Sequence, residues 1–143
     1  MTAVQVRFED VAVDGELPMI RVVLRRADLV RYAGASGDLN GIHWSDRIAQ
    51  AAGLPGVVAH GMLTMAVATR VLTEWTGDPG SVEEIGVRFA RPVVVPDDEE
   101  GATLRAQGRV TERLDGRRVR VVLDVRCGEE RVLGQARAVL RLG

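Results

Sequence analysis

The sequence predicts an α+β fold in which a curved antiparallel sheet wraps around one central apolar helix. Three observations carry this. The stretch Gly61 to Trp75 holds Met62, Leu63, Met65, Ala66, Val67, Ala68, Val71, Leu72 and Trp75, leaving Arg70 and Glu74, spaced i to i+4, on a narrow polar strip. A helix apolar nearly all round is buried inside its domain. After Gly77-Asp78-Pro79-Gly80 the chain turns to strand-like patterning almost to its end, with Asp115-Gly116 as a hairpin signal. Between Arg118 and Cys127 the alternation has period two: Val119, Val121, Leu123, Val125 and Cys127 on one face, Arg118, Arg120, Asp124 and Arg126 on the other. A helix that must be buried, followed by a long antiparallel sheet, is satisfied when the sheet curls around the helix.

Each element follows from local chemistry. Val4 to Leu24 contains two short strand-like runs, the better being Met19 to Leu24. Ala27 to Ala35 reads as a short helix with Leu29, Val30, Tyr32 and Ala33 on a broad apolar face, Asp28 near its start, and Gly34 and Gly37 ending it. Ser45 and Asp46 open a second short helix through Ala52, closed by Gly53. Leu54-Pro55-Gly56 is a turn. Val82 to Val95 reads as one long strand region with Pro92 at an edge or bulge. An acidic turn, Pro96 to Gly101, leads to a strand from Thr103 to Leu114, and Arg131 to Leu142 runs back after Gly128-Glu129-Glu130.

Bulk properties narrow the function. The chain has 143 residues, enough for one domain with a real core. Its 46% apolar and 27% charged content is that of an ordinary globular protein, and a net charge of −1 argues against nucleic-acid binding. Every basic side chain is arginine, which fits a genome rich in G and C better than any one site. Cys127 stands alone and sits in an apolar alternation, as a core residue would. The early Arg7, Glu9 and Asp10 are unlike a signal peptide, and no run is long enough to span a membrane, so a cytoplasmic location is expected.

The polar chemistry gathers between Ser36 and Met62. The run Ser36-Gly37-Asp38-Leu39-Asn40-Gly41-Ile42-His43 contains the only asparagine, and His43 and His60 are the only histidines. An Asp near a His on a glycine-flanked loop is material for acid–base catalysis. The bland reading is that Asp38 and Asn40 are turn-formers and His43 a bystander. His60-Gly61 opens the buried helix, where the first amides lack intrahelical partners and can donate to an oxyanion. Asp38, His43 and His60 could supply three metal ligands, but there is neither a His-Glu-x-x-His motif nor a cysteine pair, and no metal or cofactor is expected. Ser36 lies outside any Gly-x-Ser-x-Gly elbow.

The run Tyr32 to His43, followed by Ala59-His60-Gly61-Met62-Leu63, resembles the MaoC-like, (R)-specific enoyl-thioester hydratase/dehydratase family, whose motif runs Asp-x-Asn-Pro-(Ile/Leu)-His. Gly77 to Gly80 and Val87-Arg88-Phe89 extend the match. The resemblance implies a single hot-dog fold, and reversible hydration of trans-2-enoyl thioesters to (3R)-hydroxyacyl thioesters carried by CoA or acyl carrier protein in fatty-acid metabolism. It implies Asp38 and His43 as the catalytic pair, with Gly61 and Asn40 binding substrate or supporting the loop, and His60 as structural. It also implies a dimer, with a second copy or with a related hot-dog subunit. Gly41 stands where the family usually has Pro, which implies a less rigid loop. Two other readings stay open: a non-catalytic acyl-binding partner subunit, and a hot-dog thioesterase.

Overall fold

A computed structural model describes residues 5–143. The elements in order are β1 (Ile20–Leu24), α1 (Arg26–Ser36), α2 (Asp46–Ala51), α3 (Gly61–Thr76), β2 (Val82–Phe89), β3 (Ala102–Leu114), β4 (Arg118–Cys127), β5 (Glu130–Arg131) and β6 (Leu133–Arg141), with short 3-10 turns at Phe8–Asp10, Gly41–His43 and Pro79–Ser81. The strands form one antiparallel sheet in the order β1-β3-β4-β6-β2, and β5 pairs with β4.

The sheet follows the alternation in the sequence. Val119, Val121, Leu123 and Val125 of β4 all point inward and are buried, as are Leu104, Ala106 and Val110 of β3. Asp115, Gly116 and Arg117 close the β3–β4 hairpin, with Gly116 and Arg117 both at positive φ and Leu114 paired to Arg118. The strand expected over Val82 to Val95 stops at Phe89. Pro92 cannot donate to a ladder, and the chain beyond it turns to pair with the segment before α3, through the isolated bridge Val58–Val94.

Helix α3 lies in the concave face of the sheet, burying Thr64, Val67, Ala68, Val71, Leu72 and Thr76. The expectation of burial on every side is corrected here. Met62 is 57% exposed and Ala66 is also exposed, because the sheet encloses only one side of the helix. The other side borders an open groove of about 520 Å³ shared with β1 and α1, lined by Val22, Val23, Tyr32, Leu63 and Val67. On α1 only Leu29 and Ala33 are buried. Val30 faces solvent, one helical step round from that i, i+4 pair. The first strand-like run does not form a strand from Gln5 onward; it gives the 3-10 turn at Phe8–Asp10, and Val4 lies outside the described residues.

Two polar ties fix the loops around the start of α3. Asp46 accepts from the Val57 amide at 3.0 Å and from the Arg26 guanidinium at 3.0 Å, while Arg26 Nε donates to the Val95 carbonyl at 2.6 Å. The Val57 amide bond, helped by Arg26, holds the Asp46 carboxyl below the usual range against a smaller upward push from burial. The run 57–59 is also gripped by main chain on both sides: Val58 N–H donates to Ile42 O at 3.1 Å, Ala59 N–H to Val93 O at 2.8 Å, and Val95 N–H to Val57 O at 2.9 Å.

Candidate active site

The loop after α1 is a chain of nested turns. Gly37 ends the helix in the left-handed region at φ 76°, with its amide on Ala33 O at 2.9 Å. Asp38 N–H then donates to Ser36 Oγ, Asn40 N–H to Asp38 Oδ1, and Ile42 N–H to Asn40 Oδ1, each at 3.2 Å. One Asp38 oxygen is thereby used to shape the loop and Oδ2 is left free. Asn40 is the N-cap of the 3-10 turn Gly41–His43 that carries the histidine. Its side-chain oxygen supports the loop and faces the Ile42 amide.

His43 is 7% exposed. Its Nδ1 lies 2.7 Å from the Val58 carbonyl. A carbonyl can only accept, so Nδ1 carries the hydrogen, and in the neutral ring Nε2 holds the lone pair. That lone pair faces Asp38 Oδ2 at 3.8 Å. The separation exceeds a direct hydrogen bond and leaves both groups able to address one small molecule. Asp38 sits at the solvent side, its side chain 52% exposed, and His43 at the inner side.

His60 is the N-cap of α3 and is 2% exposed. Its ring stacks on His43 at 3.8 Å between centroids and 21° between planes, and Tyr32 meets it edge-on at 4.7 Å. Its Nε2 lies 3.2 Å from the Asp38 main-chain oxygen, and its Nδ1 is buried without a partner. Gly61 is the first residue of α3, so its amide has no intrahelical acceptor. The space beside its Cα is filled by Phe89: a Cβ there would meet Phe89 ring atoms at 3.0–3.3 Å. His43, Gly61 and Phe89 line a cleft of about 320 Å³ together with Ile42, Leu54 and Val58. The cleft is mainly apolar; His43, Thr64 and Arg91 are its polar side chains, and Gly61 brings the start of α3 to it.

Of the residues predicted from sequence, Asp38, His43, Asn40 and His60 come together and Gly61 lies beside them. Sequence reasoning missed the Val58 carbonyl, which sets the His43 tautomer, and Phe89, which walls the cleft. It missed Tyr32 as the edge contact of His60 as well. Phe89 was visible only as a member of the extended motif; a main-chain oxygen leaves no sequence signal at all.

The ligand atoms of Asp38, His43 and His60 lie within 4.8 Å of one another. They are poorly disposed for a cation. His60 Nε2 already donates to a carbonyl, and in stacked rings the nitrogen lone pairs run side by side instead of converging. Among the described residues no helix is long and apolar enough to cross a membrane. The departure at Gly41 also has a cause: a Cβ there would come within 2.5 Å of Ile48 Cδ1, so Ile48 occupies the space a proline ring would need.

Comparison with known proteins bears on the family and the fold. A profile described as a MaoC like domain matches residues 6–126. The 3-hydroxyacyl-thioester dehydratase X of Mycobacterium tuberculosis is 40% identical over 83 residues, which is 57% of this chain and 29% of that protein. The (R)-specific enoyl-CoA hydratase of Rhodospirillum rubrum is 29% identical over 107 residues, 74% of this chain and 73% of that protein. A solved MaoC-like dehydratase superposes with a TM-score of 0.92 at 40% identity, covering 96% of this chain and 42% of that one. The chain thus spans less than half the length of two of these three relatives. The sheet wrapped on α3 is the hot-dog arrangement, and with most of its length matched the chain belongs to the MaoC-like domain family.

Proposed function

We propose that this chain adds water reversibly to a trans-2-enoyl thioester, giving a (3R)-hydroxyacyl thioester, with CoA or acyl carrier protein as the carrier. The observation that carries the reading is His43 Nε2, held 3.8 Å from Asp38 Oδ2, with His43 lining an apolar cleft that also reaches Gly61. A water held by both groups is in place to lose a proton to His43 Nε2 as its oxygen attacks C3. The double-bond electrons move toward the thioester carbonyl, whose developing negative charge is met by the Gly61 amide. Such a donor is worth about 3–4 kcal/mol of barrier. The proton taken from water returns from the Asp38–His43 pair to C2, and dehydration runs the same steps backwards. The acyl chain lies in the cleft between Ile42, Leu54 and Phe89.

The 3R outcome draws support from the name of the related (R)-specific enoyl-CoA hydratase. The working unit is a dimer, of two copies or with a related hot-dog subunit, and its setting is the cytoplasm. An edge strand, β2, with Phe89 exposed at its end, supports the pairing. The test is hydration of crotonyl-CoA by the purified chain with any obligate partner. Asp38→Asn and His43→Ala are each expected to lower turnover by about 10²–10⁴-fold. Near-normal rates in both variants would sink the assignment. Release of free thiol in place of water addition would mark a thioesterase.

A further inference from the structure

We infer that His60 is a positioning residue: its Nε2–H pins the main chain of Asp38 while its ring backs the imidazole of His43. The inference rests on the hydration reading above and assigns work to a side chain which that reading leaves idle. Three observations carry it. The Asp38 carbonyl 3.2 Å from Nε2 can only accept, so His60 must hold its hydrogen on Nε2, the tautomer opposite to that of His43. The two rings are stacked at 3.8 Å, so one histidine touches both members of the pair, one through a hydrogen bond and the other through its face. The remaining nitrogen, Nδ1, is buried with nothing to accept from it or donate to it.

That orphaned nitrogen has a consequence. A second proton on His60 would create a buried N–H with no acceptor, beside a ring that must itself take a proton during turnover. The titratable groups facing His60 are Asp38 on the loop, His43 on the 3-10 turn and Tyr32 on α1. Burial above all lowers its proton affinity and the nearby His43 adds to this, while the bond to the Asp38 carbonyl and the Asp38 charge oppose it. The orphaned Nδ1 and the burial both favour the neutral ring, with Nε2–H as a fixed donor, and leave proton movement to His43 and Asp38.

The test separates the hydrogen bond from the stack. His60→Phe keeps a ring against His43 and removes the donor; His60→Gln sets an amide N–H close to where Nε2 stood. His60→Phe is expected to lower kcat by about 10²-fold with KM within about two-fold, the signature of reacting groups moved out of line. His60→Gln is expected to recover most of that loss. In the unmodified chain, long-range nitrogen NMR is expected to show His60 as the neutral Nε2–H tautomer at neutral pH. Wild-type kcat in His60→Phe, equal losses in both variants, or an Nδ1–H tautomer would overturn the inference. If His60→Phe does not fold, the Gln variant and the NMR tautomer decide. A wild-type chain that hydrates no enoyl thioester would refute the hydratase reading instead, and the NMR measurement would still judge the placement of His60.

Discussion

The meander β3–β4–β6 and the loop from Ser36 to Gly61 hold themselves in order by different means. In the meander, side chains alternate, apolar groups go in and charges go out. The outer charges pair freely: Arg126 and Arg131 share Asp124, and Arg141 meets Glu83. Such exposed pairs are worth little individually; the inner valines and leucines carry the stability. In the loop Ala49, Val57 and Val58 reach the core, but the polar stretch is ordered by side chains bonded to main chain: Asp38 on Asn40 N–H, Asn40 on Ile42 N–H, His43 on Val58 O, His60 on Asp38 O. A sheet built by burial tolerates changes at its surface. A loop built from single hydrogen bonds holds a few atoms closely in place and has little redundancy.

This contrast can be tested from both sides. The largest stability effect belongs to the sheet. Leu104→Ala empties a fully buried position of β3 and is expected to cost about 2–5 kcal/mol in urea unfolding. Asp38→Asn, by contrast, should leave the unfolding midpoint nearly unmoved while lowering turnover by about 10²–10⁴-fold. Next in size is Gly41→Pro, which drives a ring into Ile48 and is expected to cost about 1–3 kcal/mol. The double change with Ile48→Ala should recover part of this, and a double-mutant cycle measures how much.

A smaller effect is expected from Asp46. Its carboxyl is held below the ordinary value in the folded chain, so its contribution is fully present above the unfolded value near about pH 4 and is lost as pH falls through the folded one. Asp46→Asn should therefore lower Tm at neutral pH and flatten its decline in acid, read by calorimetry across pH. The smallest effect is expected at the surface. Arg120→Ala, which breaks the exposed pair with Glu112, should change stability by about 0.2–1 kcal/mol and leave turnover untouched.

The same contrast explains what could be read from the sequence. Val119, Val121, Leu123 and Val125 announce their face because a strand has period two and burial is their only task. Val30 was misplaced because a short helix marks an apolar sector but not its width, and here only Leu29 and Ala33 reach the core. Helix α3 was expected to be covered all round, and Met62 shows that hydropathy counts apolar positions without saying what covers each one. In the loop, residue types were legible and partners were not. Asn40, His43 and His60 stand out by rarity, and Asp38 by its place beside them. What they bond to is mostly main chain, and its position is set by the fold.

The Val58 carbonyl illustrates what this means for changing the protein. It fixes which nitrogen of His43 is free, yet no substitution can delete it, since every amino acid brings the same atom. Its place is held by the Ile42 and Val93 main-chain contacts on either side. The His43 tautomer is thus shielded from ordinary mutation, while Ile42, Leu54 and Phe89 present replaceable side chains to the cleft. Under the proposed function, a preference for longer or shorter acyl chains would be bred through those three positions, with that tautomer carried along unaltered.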